Sequence, residues 1–250
     1  MKWNEVDNYE KMSAQAADAI IRLVKEKPDA ILGLATGGTP AGTYKRLAED
    51  FKQNKTSYEN IKTVNLDEYV GLEANSEQSY SYYMDKHLFD HIDIKRENVH
   101  LPKAETPPYE QDAAEYEELI DKLGGVDLQI LGIGENGHIG FNEPGTSFTS
   151  KTSVVELDES TREANARYFE NRDDVPTHAI SMGISTIMKS RKIILLASGS
   201  KKAPILYNLF QTEVTEDIPA SILKQHPDVT IIADSEALAI LKDKEGSVYR

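Results

Sequence analysis

The 250 residues contain no cysteine. That excludes disulfide scaffolds, zinc–thiolate sites, iron–sulfur clusters and cysteine nucleophiles. No apolar run approaches the length of a membrane span. The opening MKWNEVDNYEKMSAQ is polar and acidic, without the apolar centre of a signal peptide. Positive charge is also short: 28 Lys and Arg face 42 Asp and Glu, for a formal net charge of −14. Such a balance argues against nucleic acid and membranes as partners. A cytoplasmic protein acting on a small molecule is the expectation. The charge also poses a local problem, because an anionic ligand must find a small positive site on a negative molecule.

What is present is an alternation of short apolar runs with amphipathic stretches. Strands are expected at Asp29–Leu34, Ile61–Leu66, Val126–Ile133, Thr152–Glu156, Ile193–Ala197 and Val229–Ala233. Helices are expected at Ser13–Lys25, Pro40–Phe51, Ser79–Phe89, Tyr109–Leu123, Lys201–Phe210 and Ser235–Lys242, with a short one at Gly183–Lys189. Strands separated by helices imply crossover connections. The fold class expected is therefore α/β: a doubly wound, mostly parallel, Rossmann-like sheet with helices on both faces. With no repeat or low-complexity linker, and Pro102–Pro108 read as a loop, one domain over residues 1–250 is expected. Sites in such sheets lie beyond the carboxyl ends of strands, and three of those ends carry unusual residues.

After Leu34 comes Ala35-Thr-Gly-Gly-Thr-Pro40 and then a helix. Glycines let the backbone turn sharply near a ligand. Thr39 is the expected N-cap and Pro40 the first helical residue, so that free amides face an anion. Thr36, Gly37, Gly38 and Thr39 are the candidate phosphate cradle, although a plain strand-to-helix turn would use the same residues. Gly37 and Gly42 have the outer spacing of a Walker A loop, but Thr43 stands where its lysine is required, which excludes nucleoside triphosphates.

At the end of the strand that runs to Ile133, the residues Gly132, Gly134 and Gly137 spell G-x-G-x-x-G, with Glu156 about twenty residues on. The following His138-Ile-Gly-Phe-Asn-Glu-Pro-Gly145 is too rich in glycine and proline for the helix that a pyrophosphate needs. This loop reads instead as a frame on which Asn136, His138 and Glu143 converge. Histidine moves protons near neutral pH, and a carboxylate beside it can fix its orientation. One histidine without H-E-x-x-H spacing does not point to a metal. His87, His91, His100, His178 and His226 lack such a setting. After Leu66, Asp67 stands at a strand tip. It can serve as a base on a carbon acid if burial raises its pKa, with Glu68 as a possible perturbing neighbour. Alone, the segment would read as a solvated loop acid. Arg167 and Lys202 are candidate anion contacts, Lys202 because a cation at a helix start is unfavourable until an anion joins it.

The segments Leu34-Ala-Thr-Gly-Gly-Thr-Pro40, Asn65-Leu-Asp-Glu-Tyr-Val-Gly71, Leu131 to Pro144, Asn165-Ala-Arg-Tyr-Phe169 and Ser198-Gly-Ser-Lys-Lys-Ala203 together resemble the glucosamine-6-phosphate deaminases. The match runs in order along nearly the whole chain. The 6-phosphogluconolactonases are relatives on the same fold, but Asn-Leu-Asp-Glu-Tyr favours the deaminases. The resemblance implies conversion of glucosamine 6-phosphate and water to fructose 6-phosphate and ammonia, without metal or organic cofactor. It implies that His138 opens the sugar ring, supported by Glu143. Asp67 would move the proton from C2 to C1, and Thr36 to Thr39, Arg167 and Lys202 would hold the phosphate.

Two departures from the family pattern stand out. Asn136 replaces an Asp found in some members, and a neutral amide can orient His138 but supplies no charge. Hexameric members bind an N-acetylated sugar phosphate through a basic pair in the segment that here reads Ser153-Val-Val-Glu156, and they continue beyond the position where this chain ends at Arg250. The expectation is a monomer or small homo-oligomer without allosteric activation. Lactone hydrolysis on the same fold is the alternative activity. A non-catalytic sugar-phosphate sensor is disfavoured, because no basic stripe is present.

Overall fold

Ile31-Leu-Gly-Leu34 and Ile193-Ile-Leu-Leu-Ala197 are buried at every position. A strand with no solvent face needs cover on both sides, and crossover helices supply it. The computed structural model describes residues 1–246, with the side chains of residues 160, 164 and 168 set aside. Arg250, on which the expectation about the chain end rested, lies outside the described residues, as do the side chains of Ala164 and Tyr168.

The strands are β1 (Lys2–Val6), β2 (Ile31–Leu34), β3 (Lys62–Asn65), β4 (Asp67–Tyr69), β5 (Val99–His100), β6 (Leu128–Gly132), β7 (Ser153–Glu156), β8 (His178–Ser181), β9 (Ile193–Ala197) and β10 (Val229–Asp234). The helices are α1 (Tyr9–Glu26), α2 (Gly38–Asn54), α3 (Tyr80–His87), α4 (Tyr109–Leu123), α5 (Glu159–Asn165), α6 (Ile184–Met188), α7 (Ala203–Gln211) and α8 (Ala239–Glu245). Seven strands pair in the order β1-β10-β9-β6-β2-β3-β5, and every pair is parallel.

Successive side chains of a strand point to opposite faces, and the core divides accordingly. On one face Ile31, Leu131, Ile193, Leu195 and Ile231 pack with Ile120 of α4, Ile187 of α6, Leu206 of α7 and Leu241 of α8. On the other, Leu32, Leu34, Ile130, Ile194 and Ile232 pack with α1, α2 and α3 through residues such as Ile20, Leu47 and Met84. Helix α1 shows the matching pattern: Asn8 accepts the Lys11 amide at its start, and Met12, Ala16, Ile20 and Val24 recur every fourth residue on the buried side.

The winding of the sheet places the site. From β2 the chain proceeds outward through β3 to β5, then returns to β6 on the other side of β2 and continues outward to β9 and β10. The strand order therefore reverses between β2 and β6, and the crevice beyond their carboxyl ends is where such sheets bind ligands.

Three features depart from the sequence reading. The polar amino-terminal segment forms β1, an edge strand alongside β10; its half-exposed setting tolerates polar side chains. The run around Thr152–Glu156 is β7, but it belongs to a separate antiparallel sheet in the order β4-β8-β7. Helix α8 begins at Ala239 and not near Ser235, because Asp234 takes the Ala237 amide and holds the intervening residues in a turn. No helix among the described residues is long and apolar enough to cross a membrane.

Candidate active site

At the switch point lies a cleft of about 940 Å³. It is lined by Thr36, Gly37, Gly38 and Thr39 after β2, by Asp67 after β3, by Asn136 and His138 after β6, and by Lys202 after β9. Arg167, on a short turn at Ala166–Tyr168, also lines it.

The candidate anion end is built on the start of α2. The N-cap is Gly37, at φ 97° and ψ −174°, a conformation open to glycine but rarely to other residues. This corrects the expectation for Thr39: the helix begins at Gly38, so Thr39 and Pro40 are its second and third residues. No side chain caps this start and no acid stands in its first turn, so the helix itself brings no anion to the positive end of its dipole. Across the cleft, the Lys202 ammonium donates to the Ile133 carbonyl at 2.7 Å. Burial pushes its pKa down; the Glu135 carboxylate opposes this, while the charges of Lys201 and Arg167 add to it. A cation held under such conditions gains from an anion. Asp234 anchors the adjoining turn by accepting the Ser198 hydroxyl and the Gly199 amide.

The acid–base end is the loop after β6. No helix follows Gly137; the chain turns back through a bridge between Ile139 and Asn142. The dinucleotide fingerprint is therefore literal only. Glu143 Oε2 meets His138 Nδ1 at 3.2 Å and accepts the Asn136 amide at 2.7 Å, while Asn136 Oδ1 accepts the His138 backbone N–H at 3.1 Å. The Thr161 hydroxyl donates to Glu143 Oε1 at 2.6 Å. Burial would raise the Glu143 pKa, but the hydrogen bond and charge of His138, with the bonds from Thr161 and Asn136, hold it down at about 2. Glu143 is thus a carboxylate, which accepts and cannot donate, so Nδ1 carries the ring proton in this pair. Nε2 is the ring nitrogen left for proton exchange with a ligand. The ring packs against Gly134, where a Cβ would lie 2.4 Å from Nδ1 and Cε1.

Asp67 supplies the third element. Its residue is 7% exposed, no hydrogen bond to its carboxylate is found among the described residues, and its pKa is raised to about 8 by burial first and by the charge of Glu68 second. Beside it stands an aromatic wall: Tyr69 and Tyr80 at 4.7 Å between ring centroids, with Tyr80 stacked on Phe141 at 6.3 Å. Glu68 has a different task. It accepts the amides of Tyr69, Tyr80 and Ser81, each at 2.9 Å, and so fastens the start of α3 to β4.

All the sequence-predicted residues meet here, although Glu143 reaches His138 without lining the cleft. Sequence reasoning missed Tyr9 and Tyr83, whose hydroxyls reach the glycine turn, and Thr161. Nothing in an amphipathic helix pattern marks those positions. Of the other histidines, His226 is held by the Ser190 carbonyl and the Asp228 amide, a structural setting.

The chain is similar to known proteins along nearly its whole length. The family described as glucosamine-6-phosphate isomerases/6-phosphogluconolactonase matches residues 4–232. A glucosamine-6-phosphate deaminase of Geobacillus sp. (strain WCH70) is 59% identical over 249 residues, covering 100% of this chain and 99% of that one. One from Bacillus pumilus (strain SAFR-032) is 54% identical over 233 residues, covering 93% and 97%. Among solved structures, a monomeric glucosamine-6-phosphate deaminase superposes with a TM-score of 0.95 at 50% identity, covering 96% of this chain and 100% of that one. The 6-phosphogluconolactonase of Thermotoga maritima shares the fold, with a TM-score of 0.74 at 21% identity over 93% and 99% of the two chains. The chain belongs to the glucosamine-6-phosphate isomerase/6-phosphogluconolactonase family.

Proposed function

We propose that this chain converts glucosamine 6-phosphate and water to fructose 6-phosphate and ammonia. One observation carries the choice within the family: the buried Asp67 carboxylate, without a hydrogen-bond partner among the described residues, lines the same cleft as His138, which is paired with Glu143. Hydrolysis of a lactone needs a base for water but none for a carbon acid. An isomerisation with deamination needs both a ring-opening proton shuttle and a carbon-acid base.

The amides after Gly37, with Arg167 and Lys202, hold the 6-phosphate and place the sugar across the cleft. His138 Nε2 takes the proton from the C1 hydroxyl and returns it to the ring oxygen, which opens the ring. Glu143 stabilises the imidazolium formed between those transfers. Asp67, its basicity raised by burial, removes the proton from C2 and delivers it to C1 through an enolamine. The resulting imine at C2 adds water and releases ammonia. Asn136 holds the loop and Glu143 in register without adding charge. The steps are proton transfers and hydrolysis, for which these side chains suffice without a cofactor.

The chain works as one domain over residues 1–250, in the cytoplasm, as a monomer or small homo-oligomer, without activation by N-acetylglucosamine 6-phosphate. The solved monomeric relative supports this reading of the assembly. Hydrogen exchange tests the chemistry. In deuterium oxide, the wild type should introduce solvent deuterium at the reacting carbons of the sugar phosphate, and Asp67→Asn should not. Retained exchange in that variant would remove Asp67 from the role of base.

A further inference from the structure

The anion end rests on the backbone of two successive glycines, which hold a conformation least well by themselves. Within the first three positions of α2 only Gly38 and Thr39 bring an N–H, since Pro40 has none. A peptide unit is planar and trans, so its N–H and C=O point in opposite directions. Whatever holds the carbonyl therefore aims the amide.

Each of the two peptide units is held by one tyrosine. The Tyr83 hydroxyl of α3 donates to the Gly37 carbonyl at 2.6 Å, and that unit carries the Gly38 N–H. The Tyr9 hydroxyl of α1 donates to the Gly38 carbonyl at 2.8 Å, and that unit carries the Thr39 N–H. The Tyr9 oxygen also accepts the Gly42 amide at 2.8 Å. Both tyrosines line the cleft. A hydroxyl donating to a carbonyl also polarises the unit and strengthens its N–H as a donor.

We propose that Tyr9 and Tyr83 are the positioning residues of the anion site: each locks one peptide unit of the Thr36–Thr39 turn so that the Gly38 and Thr39 amides are aimed at the phosphate before it arrives. This rests on the reading of that turn as the phosphate site. It also accounts for Gly42, whose Walker-like spacing had no use in the chemistry. A Cβ at Gly42 would lie 2.4 Å from Ser13 Oγ and 2.9 Å from Tyr9 Cε1. Glycine there lets α1 approach closely enough for Tyr9 to reach its two partners.

Calorimetric titration with inorganic phosphate tests the proposal on the wild type, Tyr9→Phe, Tyr83→Phe, Gly42→Ala and Lys202→Ala. Each Phe variant should weaken phosphate binding about 3- to 10-fold, as for one lost hydrogen bond. KM for glucosamine 6-phosphate should rise by the same factor, with kcat within about twofold and the pH profile of kcat unmoved. Gly42→Ala should weaken binding likewise, and should add little to Tyr9→Phe because both act through one contact. Phe variants that bind phosphate as tightly as the wild type, while Lys202→Ala binds it weakly, would overturn the positioning role and leave the phosphate site standing. A wild type that takes no phosphate, or a Lys202→Ala variant that takes it unchanged, would overturn both. Should the variants fail to fold by circular dichroism, the wild type decides by NMR. Its Gly38 and Thr39 amide signals should move on adding phosphate, and signals that stay would overturn the proposal.

Discussion

Replacing Asp67 by Asn should stabilise the fold while destroying the activity, and the gain should depend on pH. The carboxyl is raised from its ordinary value of 3.8 to about 8, so folding favours its protonated form. The cost of keeping it native is absent below about pH 4, grows between there and about pH 8, and is constant above. At about 1.36 kcal/mol per pH unit, the ceiling at pH 8 is about 6 kcal/mol. Relaxation and water entry reduce this, and about 2–4 kcal/mol is the expected gain. Asparagine is nearly isosteric and carries no charge to desolvate. For a chain of this size the gain corresponds to about 5–15 °C in Tm. Thermal unfolding of both proteins at pH 8 and at pH 4.5 is the assay. The Asn variant should melt higher at pH 8, with the difference cut to about a fifth at pH 4.5. An Asn variant that is less stable at pH 8, or a difference that ignores pH, would show that burial does not strain this carboxylate.

Other consequences follow from the same geometry. Thr161→Val keeps the side-chain shape but removes the hydroxyl that donates to Glu143; kcat should fall about 3- to 10-fold with KM little changed, and an unchanged kcat would detach Thr161 from the histidine. Lys202→Ala removes a cation of the anion end, so steady-state kinetics should show KM for the sugar phosphate raised about 10- to 100-fold; an unchanged KM would place Lys202 outside the phosphate site. Gly134→Ala puts a methyl where the His138 ring lies, so kcat should drop about 100-fold in a protein that still unfolds cooperatively. Near-normal turnover would show that the ring position is not critical.

Much of this was legible because burial and function shared positions along the chain. Buried runs such as Ile193–Ala197 announce parallel strands, and each strand end then has a predictable place. Asp67, His138 and the Thr36–Thr39 turn could be read because each directly follows such a run. The fold class was recovered for the same reason. What could not be read depends on contacts between distant elements. Edge strand β1 is polar because it is half exposed, and β4 and β8 are three and four residues long, too short to show a period. Threonine suits a cap, which is why the sequence predicts Thr39 there, whereas a positive φ at Gly37 starts the helix earlier. Tyr9 and Tyr83 act on backbone carbonyls 29 and 46 residues away in sequence, and no local pattern encodes that.

The proposed chemistry needs one cleft that joins a phosphate grip, a ring-opening histidine and a carbon-acid base. The most direct measurement is the product balance when the purified chain is given glucosamine 6-phosphate, with 6-phosphogluconolactone tested in parallel. Ammonia and fructose 6-phosphate should appear in equal amounts with the wild type, and neither with Asp67→Asn. Hydrolysis of the lactone without any ammonia from the amino sugar would contradict the account.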